Sequence, residues 1–428
     1  MGVCVAACGH PARETGDAGP TVDGSFDTQL DARTPPAECT VSGALDQTFG
    51  TNGVASFGIS SSAVAVGVAP GPSGTLIVGG EGFWPGDGDN SECFVMRVTA
   101  HGELDPTFGS GGITRVEVPD RRCNVFDMTV QSDGKIVTAG MVAGSDGVFF
   151  SLVRILPDGG RDPSFGLDGV IVDVPRQGAI HGVTVDGQDR ILAGASAGDP
   201  QLDAGVFTVL RYTRDGLHDA TFGTNGLAAT AFNAGHDGAA DIAVLPSGKI
   251  VAVGEVKASP ADDVAIVRFL DNGSLDPTFG TSGTATHSYG SDSTGGGVAI
   301  DAAGSATVVG GTRAERWDSN GVFDPTFGLV LPSGLGMYRI AIASDGRFVA
   351  GGSLMPASSE ALAVGRFDAT GTWDPTFGSG GVGTAKYGFD LLDAYDVAIQ
   401  PDGKIVAVGS RDNPNLAQQF PVVARFCP

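Results

Sequence analysis

The sequence predicts an all-β chain, a seven-bladed β-propeller of four-stranded blades whose last blade is completed by the N-terminal strand. Three observations carry this. The phrase Leu-Asp-Pro-Thr-Phe-Gly, or a close variant, occurs seven times, at Leu45–Gly50, Leu104–Gly109, Arg161–Gly166, His218–Gly223, Leu275–Gly280, Phe323–Gly328 and Trp373–Gly378, with starts 59, 57, 57, 57, 48 and 50 residues apart. A period of that size means one supersecondary unit per repeat, stacked or closed into a ring. Glycine makes up 68 of 428 residues with no collagen period, and it recurs in Asp-Gly and Ser-Gly pairs, so many short strands joined by tight turns are expected. The two ends are also complementary: the last unit stops after its third strand, and the missing connection and fourth strand stand at the start of the repeat region.

The elements follow in chain order. Residues 1–40 carry Pro, Asp, Gly and Thr with little apolar periodicity and are expected to form a disordered tether. Residues 41–428 form the propeller. Unit four shows the pattern well. Ala239–Leu245 alternates, Pro246-Ser247-Gly248 turns, and Lys249–Gly254 and Val264–Leu270 are strands. Asp271–Gly280 is a structured connection and Gly283–Ser288 is the fourth strand. The last unit offers Ala394–Gln400, Lys404–Gly409 and Pro421–Cys427, with Leu45–Gly50 and Gly53–Gly58 supplying the rest. That arrangement leaves no free sheet edge at the seam. Unit five departs from the pattern. Its second hairpin is cut to Gly311-Thr312-Arg313-Ala314, and Gly328 is not followed by a second glycine, so a narrow or irregular blade is expected.

Asp402-Gly403-Lys404-Ile405-Val406, then Val422 to Phe426, and the phrase Leu275–Gly280 together resemble the delta-60 repeats typical of delta-proteobacteria such as myxobacteria. The resemblance covers residues 41–428. It implies a propeller-like fold in secreted or surface proteins, and no catalytic motif comes with it. Near the start, Val5-Ala6-Ala7-Cys8-Gly9 resembles a bacterial lipobox, which implies lipidation at Cys8 and an extracytoplasmic, lipid-anchored protein; no basic n-region precedes it.

Six cysteines lack zinc-finger spacing, and their even count and wide separation suit an oxidising compartment. Aligning Gly43 with Gly273 brings Cys39 and Cys427 to adjacent positions of one strand end, which predicts a disulfide across the seam. Cys93 begins the third strand of unit one and Cys123 follows its fourth, which predicts a second.

Each third strand holds one arginine and each phrase one aspartate. The pairs are Arg97 with Asp105, Arg154 with Asp162, Arg211 with Asp219, Arg268 with Asp276, Arg316 with Asp324, Arg366 with Asp374, and, across the seam, Arg425 with Asp46. Within every continuous unit the separation is eight residues, even in shortened unit five. An arginine between packed sheets needs a hydrogen-bonded, charged partner. Seven bidentate ion pairs pinning the connection are therefore expected. The phenylalanines of the phrase, Phe49 through Phe377, are expected core anchors, each contributing roughly 2–3 kcal/mol on burial.

A net charge of −24 excludes nucleic acid as a partner. No zinc-protease or nucleophile-elbow motif appears. The turns after first and third strands keep one form, whereas those after second and fourth strands vary and share one face. That face is the expected binding surface for a protein or glycan, through Phe83, Trp84, Arg121, Arg122, His236, Asp237, Tyr289, Tyr338 and Arg411. Asp87, Asp89, Asn90 and Glu92 offer oxygen ligands for calcium but lack the twelve-residue loop spacing, so a solvated acidic loop is expected and no cofactor. The expected function is a monomeric, non-enzymatic binding scaffold of the cell envelope. Two alternatives stay open: a hydrolase or lyase with an acidic central funnel, marked by clustered perturbed carboxylates, and a purely structural envelope repeat.

Overall fold

A computed structural model describes residues 39–84, 90–199, 204–232, 237–256, 262–288, 296–355, 360–386, 391–413 and 418–428. Residues 1–38 of the expected tether, with Cys8, lie outside the described residues. The rest is a succession of antiparallel meanders of the β-propeller type. In unit four the strands are Gly238–Val244, Ile250–Val256, Asp263–Phe269 and Thr284–His287, hydrogen-bonded in that order. The sheets of units two and three are continuous through one long strand, Val170–Val185, which serves as fourth strand of one and first strand of the next. Unit five has three strands, Gly297–Ile300, Ala306–Gly310 and Arg313–Trp317, with no fourth among the described residues.

Local chemistry explains these breaks. Gly248, at φ 81°, takes the left-handed turn position between the first two strands of unit four. The third strand is then apolar on both faces from Val264 to Val267, because sheets lie against it on either side. The core follows from this: each apolar cluster draws on two successive sheets. Phe207, Val209 and Phe222 of unit three pack with Ile242, Ile250 and Phe269 of unit four.

The phrase turns out to be the joint between units. In six of its seven copies the terminal glycine N–H donates to a carbonyl in the next unit's turn: Gly50 to His101, Gly109 to Asp158, Gly223 to Asn272, Gly280 to Asn320, Gly328 to Thr370 and Gly378 to Ser42. The approach is so close that a Cβ on Gly159 would lie 2.2 Å from the Gly109 nitrogen.

At the seam, Val54–Ser56 pairs antiparallel with Ala424 to Val422, making the last sheet four-stranded with Leu391–Ile399 at its far side. Cys39 and Cys427 are disulfide-bonded. Cys93 and Cys123 form the second disulfide. Cys123 follows the fourth strand of unit one, Ile113–Val116, as the sequence suggested, and it sits in the first strand of unit two, Arg122–Val130, so this bond staples two units together. The first strands lie side by side around the chain, and Leu391–Ile399 returns beside Ser62–Pro70.

Candidate functional site

Two layers of charged groups are built into this frame. The first lies at the connections. Arginine Nε donates to the phrase aspartate at 2.7–2.9 Å in Arg97–Asp105, Arg154–Asp162, Arg211–Asp219, Arg268–Asp276, Arg366–Asp374 and Arg425–Asp46. These contacts are not bidentate, which corrects the sequence expectation. The guanidinium divides its donors instead. Nη2 goes to a hydroxyl, as Arg97 to Thr107 at 2.8 Å, and Nη1 to a backbone carbonyl of the next unit, as Arg97 to Pro157 at 2.9 Å and Arg211 to Asp271 at 2.5 Å. The flat face of each guanidinium stacks on the phrase phenylalanine, 4.2 Å from the Phe165 centroid for Arg154. The second carboxylate oxygen caps the phrase, accepting Thr278 N–H at 3.0 Å and its hydroxyl at 2.7 Å in the case of Asp276. Burial works against ionisation of Asp162, but the Ser164 hydrogen bonds and the nearby Arg154 and Lys135 hold its carboxyl down at about 2. The seventh pair is absent: Arg316 turns to Asp301 and Thr307, and Asp324 bonds only to Thr326 through its side chain among the described residues.

The second layer lies where the first strands meet around an axis. Five first strands carry a β-bulge at one depth, between Ala65 and Gly67, Val125 and Asp127, Ala239 and Asp241, Met337 and Arg339, and Ala394 and Asp396; the strand of unit three shows the same irregularity around His181. The residues just past this level are Gly67, Asp127, Gly182, Asp241, Gly297, Arg339 and Asp396. Each aspartate accepts the next residue's N–H with one oxygen and an N–H of the following unit with the other. Asp127 takes Val183 at 2.7 Å, Asp241 takes Val298 at 2.8 Å, and Asp396 takes Val68 at 2.8 Å, across the seam. The glycines make room: a Cβ on Gly182 would meet the Asp241 Cα at 2.7 Å. Arg339 donates to the Gly296 carbonyl at 2.7 Å and, reaching across the ring to unit three, to the His181 carbonyl at 3.0 Å. His181 stacks on Phe126 with centroids 5.3 Å apart, and its Nε2 lies 2.9 Å from Ser196 Oγ.

Burial dominates the electrostatics here. It pushes the Asp127 carboxyl up to about 8 and Asp396 to about 6, and raises Asp241, with Arg339 opposing all three. The three carboxylates in turn raise Arg339 against its own burial. Burial and Arg339 together bring His181 down to about 4, so the imidazole is neutral. Sequence reasoning missed this layer. Its signal was the recurrence of one aspartate in an otherwise apolar strand, in Phe126-Asp127-Met128, Ala240-Asp241-Ile242 and Tyr395-Asp396-Val397.

The loop-face residues fare unevenly. Phe83 and Arg122 are exposed. Trp84 instead packs edge-on against Phe94 under the Arg115 guanidinium. Arg121 pairs with Asp146 at 2.5 Å. Asp237 is buried and accepts Phe232 N–H. Tyr338 is the bulged residue of a strand rather than a loop residue, and Arg411, also in a strand, donates to Ser56 at 2.7 Å. His236, Tyr289, Asp87 and Asp89 lie outside the described residues. Of the calcium candidates, Glu92 has both oxygens on Arg115, at 2.6 and 3.0 Å, and is not available as a ligand in this arrangement. No described helix is long and apolar enough to cross a membrane.

These features define a repeat protein of the β-propeller class. A family model described as "Domain of unknown function (DUF5122) beta-propeller" matches residues 131–165 and 245–279, each running from a first hairpin turn into the phrase. No curated protein sequence matches the chain. Among solved structures, the chain is similar to a catalytically inactive virginiamycin B lyase from Staphylococcus aureus with quinupristin, at 10% identity, TM-score 0.48, and 87% and 98% coverage of the two chains. It is also similar to Sqt1 from Chaetomium thermophilum, at 13% identity, TM-score 0.47, and 87% and 98% coverage.

Proposed function

We propose that the protein is a non-enzymatic, extracytoplasmic binding scaffold of the delta-60 repeat type. It is a seven-bladed propeller, anchored through Cys8, that recognises a protein or glycan with the loops following second and fourth strands. The carrying observation is the state of the axis. Arg339 spans the ring, and both oxygens of Asp127, Asp241 and Asp396 accept backbone N–H groups. Groups occupied in this way hold units together, whereas an acidic funnel needs carboxylates open to substrate. The seven sequence phrases and the return of Leu391–Ile399 to Ser62–Pro70 support seven blades. Two disulfides support an oxidising compartment.

The test is binding of the purified chain to a glycan array and to isolated envelope proteins, with Phe83→Ala and Arg122→Glu variants. Loss of a saturable partner in both variants is expected; retention in both would remove the loop face from the reading. The enzyme alternative takes its support from the raised Asp127 and Asp396 carboxyls. It requires a turnover that Asp127→Asn abolishes while the fold persists.

A further inference from the structure

The repeats provide their own controls, and one unit lacks both cation contacts that other units bring to the phrase aspartate. In five units the phrase aspartate faces a second cation from the first hairpin turn. Lys135 lies 3.4 Å from Asp162, Arg190 4.0 Å from Asp219, Lys249 2.8 Å from Asp276 and Lys404 3.4 Å from Asp46, and Arg347 bonds Asp374. Unit five has Ser305 at this position, one residue after the turn glycine Gly304, just as Lys249 follows Gly248. Its arginine is also displaced: Arg316 is held by Asp301 and stacks over Phe348 instead of the phrase ring, and acts on Asp324 only through its charge, without a hydrogen bond. Asp324 thus keeps its Thr326 cap, which holds the carboxyl low, but no arginine or lysine bonds it among the described residues. A groove of about 300 Å³ occupies the vacated place, lined by Ser305, Arg316, Asp318, Val322, Phe323 and Asp324.

We propose that this groove is a docking socket for the ammonium group of a lysine side chain on a protein partner. The ammonium takes the position that a lysine of the chain itself holds in units two, four and seven. Asp324 is its anionic ligand, and Ser305 supplies a hydroxyl acceptor. The methylenes of the incoming lysine lie along Val322, whose side chain is 60% exposed, and Phe323. A chain of net charge −24 favours such a partner at long range. The site is on the rim of first and third turns, opposite the variable loops, and does not depend on the reading given above.

The test follows the methyl signals of Val322 by NMR in the full chain, during titration with lysine blocked at both ends, its Nζ-acetylated form, and a pentapeptide with central lysine. One partly exposed ion pair binds weakly, so millimolar saturation is expected for blocked lysine, with loss of about tenfold or more on acetylation. The pentapeptide should bind more tightly. Asp324→Asn should remove the saturable shift, and so should Ser305→Lys, which fills the socket from within. Salt should weaken binding. Shifts that persist in both variants would mean diffuse attraction to an acidic surface and overturn the proposal. Equal affinity for blocked lysine and pentapeptide would overturn the protein partner as its source.

Discussion

The connection layer and the axial layer use the same residue types to opposite effect. At the connections each aspartate meets an arginine, often a second cation, and a hydroxyl, so charge is matched and the carboxyls sit low, with Asp162 and Asp374 near 2. At the axis three aspartates share one arginine and otherwise accept only backbone N–H groups, so burial wins and the carboxyls rise. The difference teaches that a carboxylate's state is set by burial weighed against the hydrogen bonds and cations around it: hydroxyl and backbone donors with close cations win at the connections, and burial wins at the axis. Glycine alternates with a long side chain at Gly67, Asp127, Gly182, Asp241 and Gly297, and the alternation ends with two long residues in succession, Arg339 and Asp396, whose charges are opposite.

The largest expected effect comes from removing the shared cation. Arg339→Met should cost about 3–5 kcal/mol, because it strands buried carboxylates. Chemical denaturation should show a smaller loss at pH 5 than at pH 8, and adding Asp127→Asn should recover part of it. An unchanged midpoint would break the comparison. Next, Arg268→Ala removes the contacts to Asp276, Thr278 and Ser319, but leaves Lys249 beside the carboxylate, so about 2–3 kcal/mol is expected from thermal melts.

The two layers should also differ in the sign of their pH response. Asp127 is raised from 3.8 to about 8, so the folded chain holds more protons than the unfolded one between these values. Its contribution is complete below about pH 4 and lost as pH rises through about 8. Asp162 and Asp374 are lowered from 3.8 to about 2, so their contribution is present above about pH 4 and lost as pH falls through about 2. Asp127→Asn should flatten the fall in stability between about pH 4 and 8 and leave the limb below about pH 4 alone; Asp374→Asn should do the reverse. The smallest effect belongs to unit one, which has Thr75 where five other units have a lysine or arginine and whose Arg97 and Asp105 side chains are 13% and 16% exposed. Arg97→Lys should shift stability by about 1 kcal/mol or less.

Much of the connection layer was legible because arginine and aspartate recur at fixed spacing, and spacing is what a sequence displays. The division of donors was not legible, since the turn carbonyl that takes Arg97 Nη1 belongs to another unit, some 60 residues on. Arg316 kept the spacing and still defected, because Asp301 in the adjoining turn offers it a carboxylate; unit three has Asp186 at the same place, but there the turn's own Arg190 occupies it, whereas unit five has Ser305. The axial layer was hidden by its depth: Asp127 among Val125, Phe126 and Met128 reads as an interruption of a strand until bulges on several strands bring such residues to one level. The loop face was the least legible. Trp84 and Tyr338 looked like surface aromatics, but they belong to the packing and to a strand.

The disulfide between Cys39 and Cys427 stands where, in every other unit, the peptide chain itself runs from third strand to connection. Tension applied to the chain ahead of Cys39 therefore passes directly into the strand Gln418–Phe426 through a covalent bond, and bypasses the three-residue strand Val54–Ser56. A protein held by its N-terminal segment while its partner pulls would resist peeling at the one strand that its own ladder holds least. Under reducing conditions the same load would fall on the backbone bonds of the seam, from Gly43 to Cys427 and from Asp46 to Arg425.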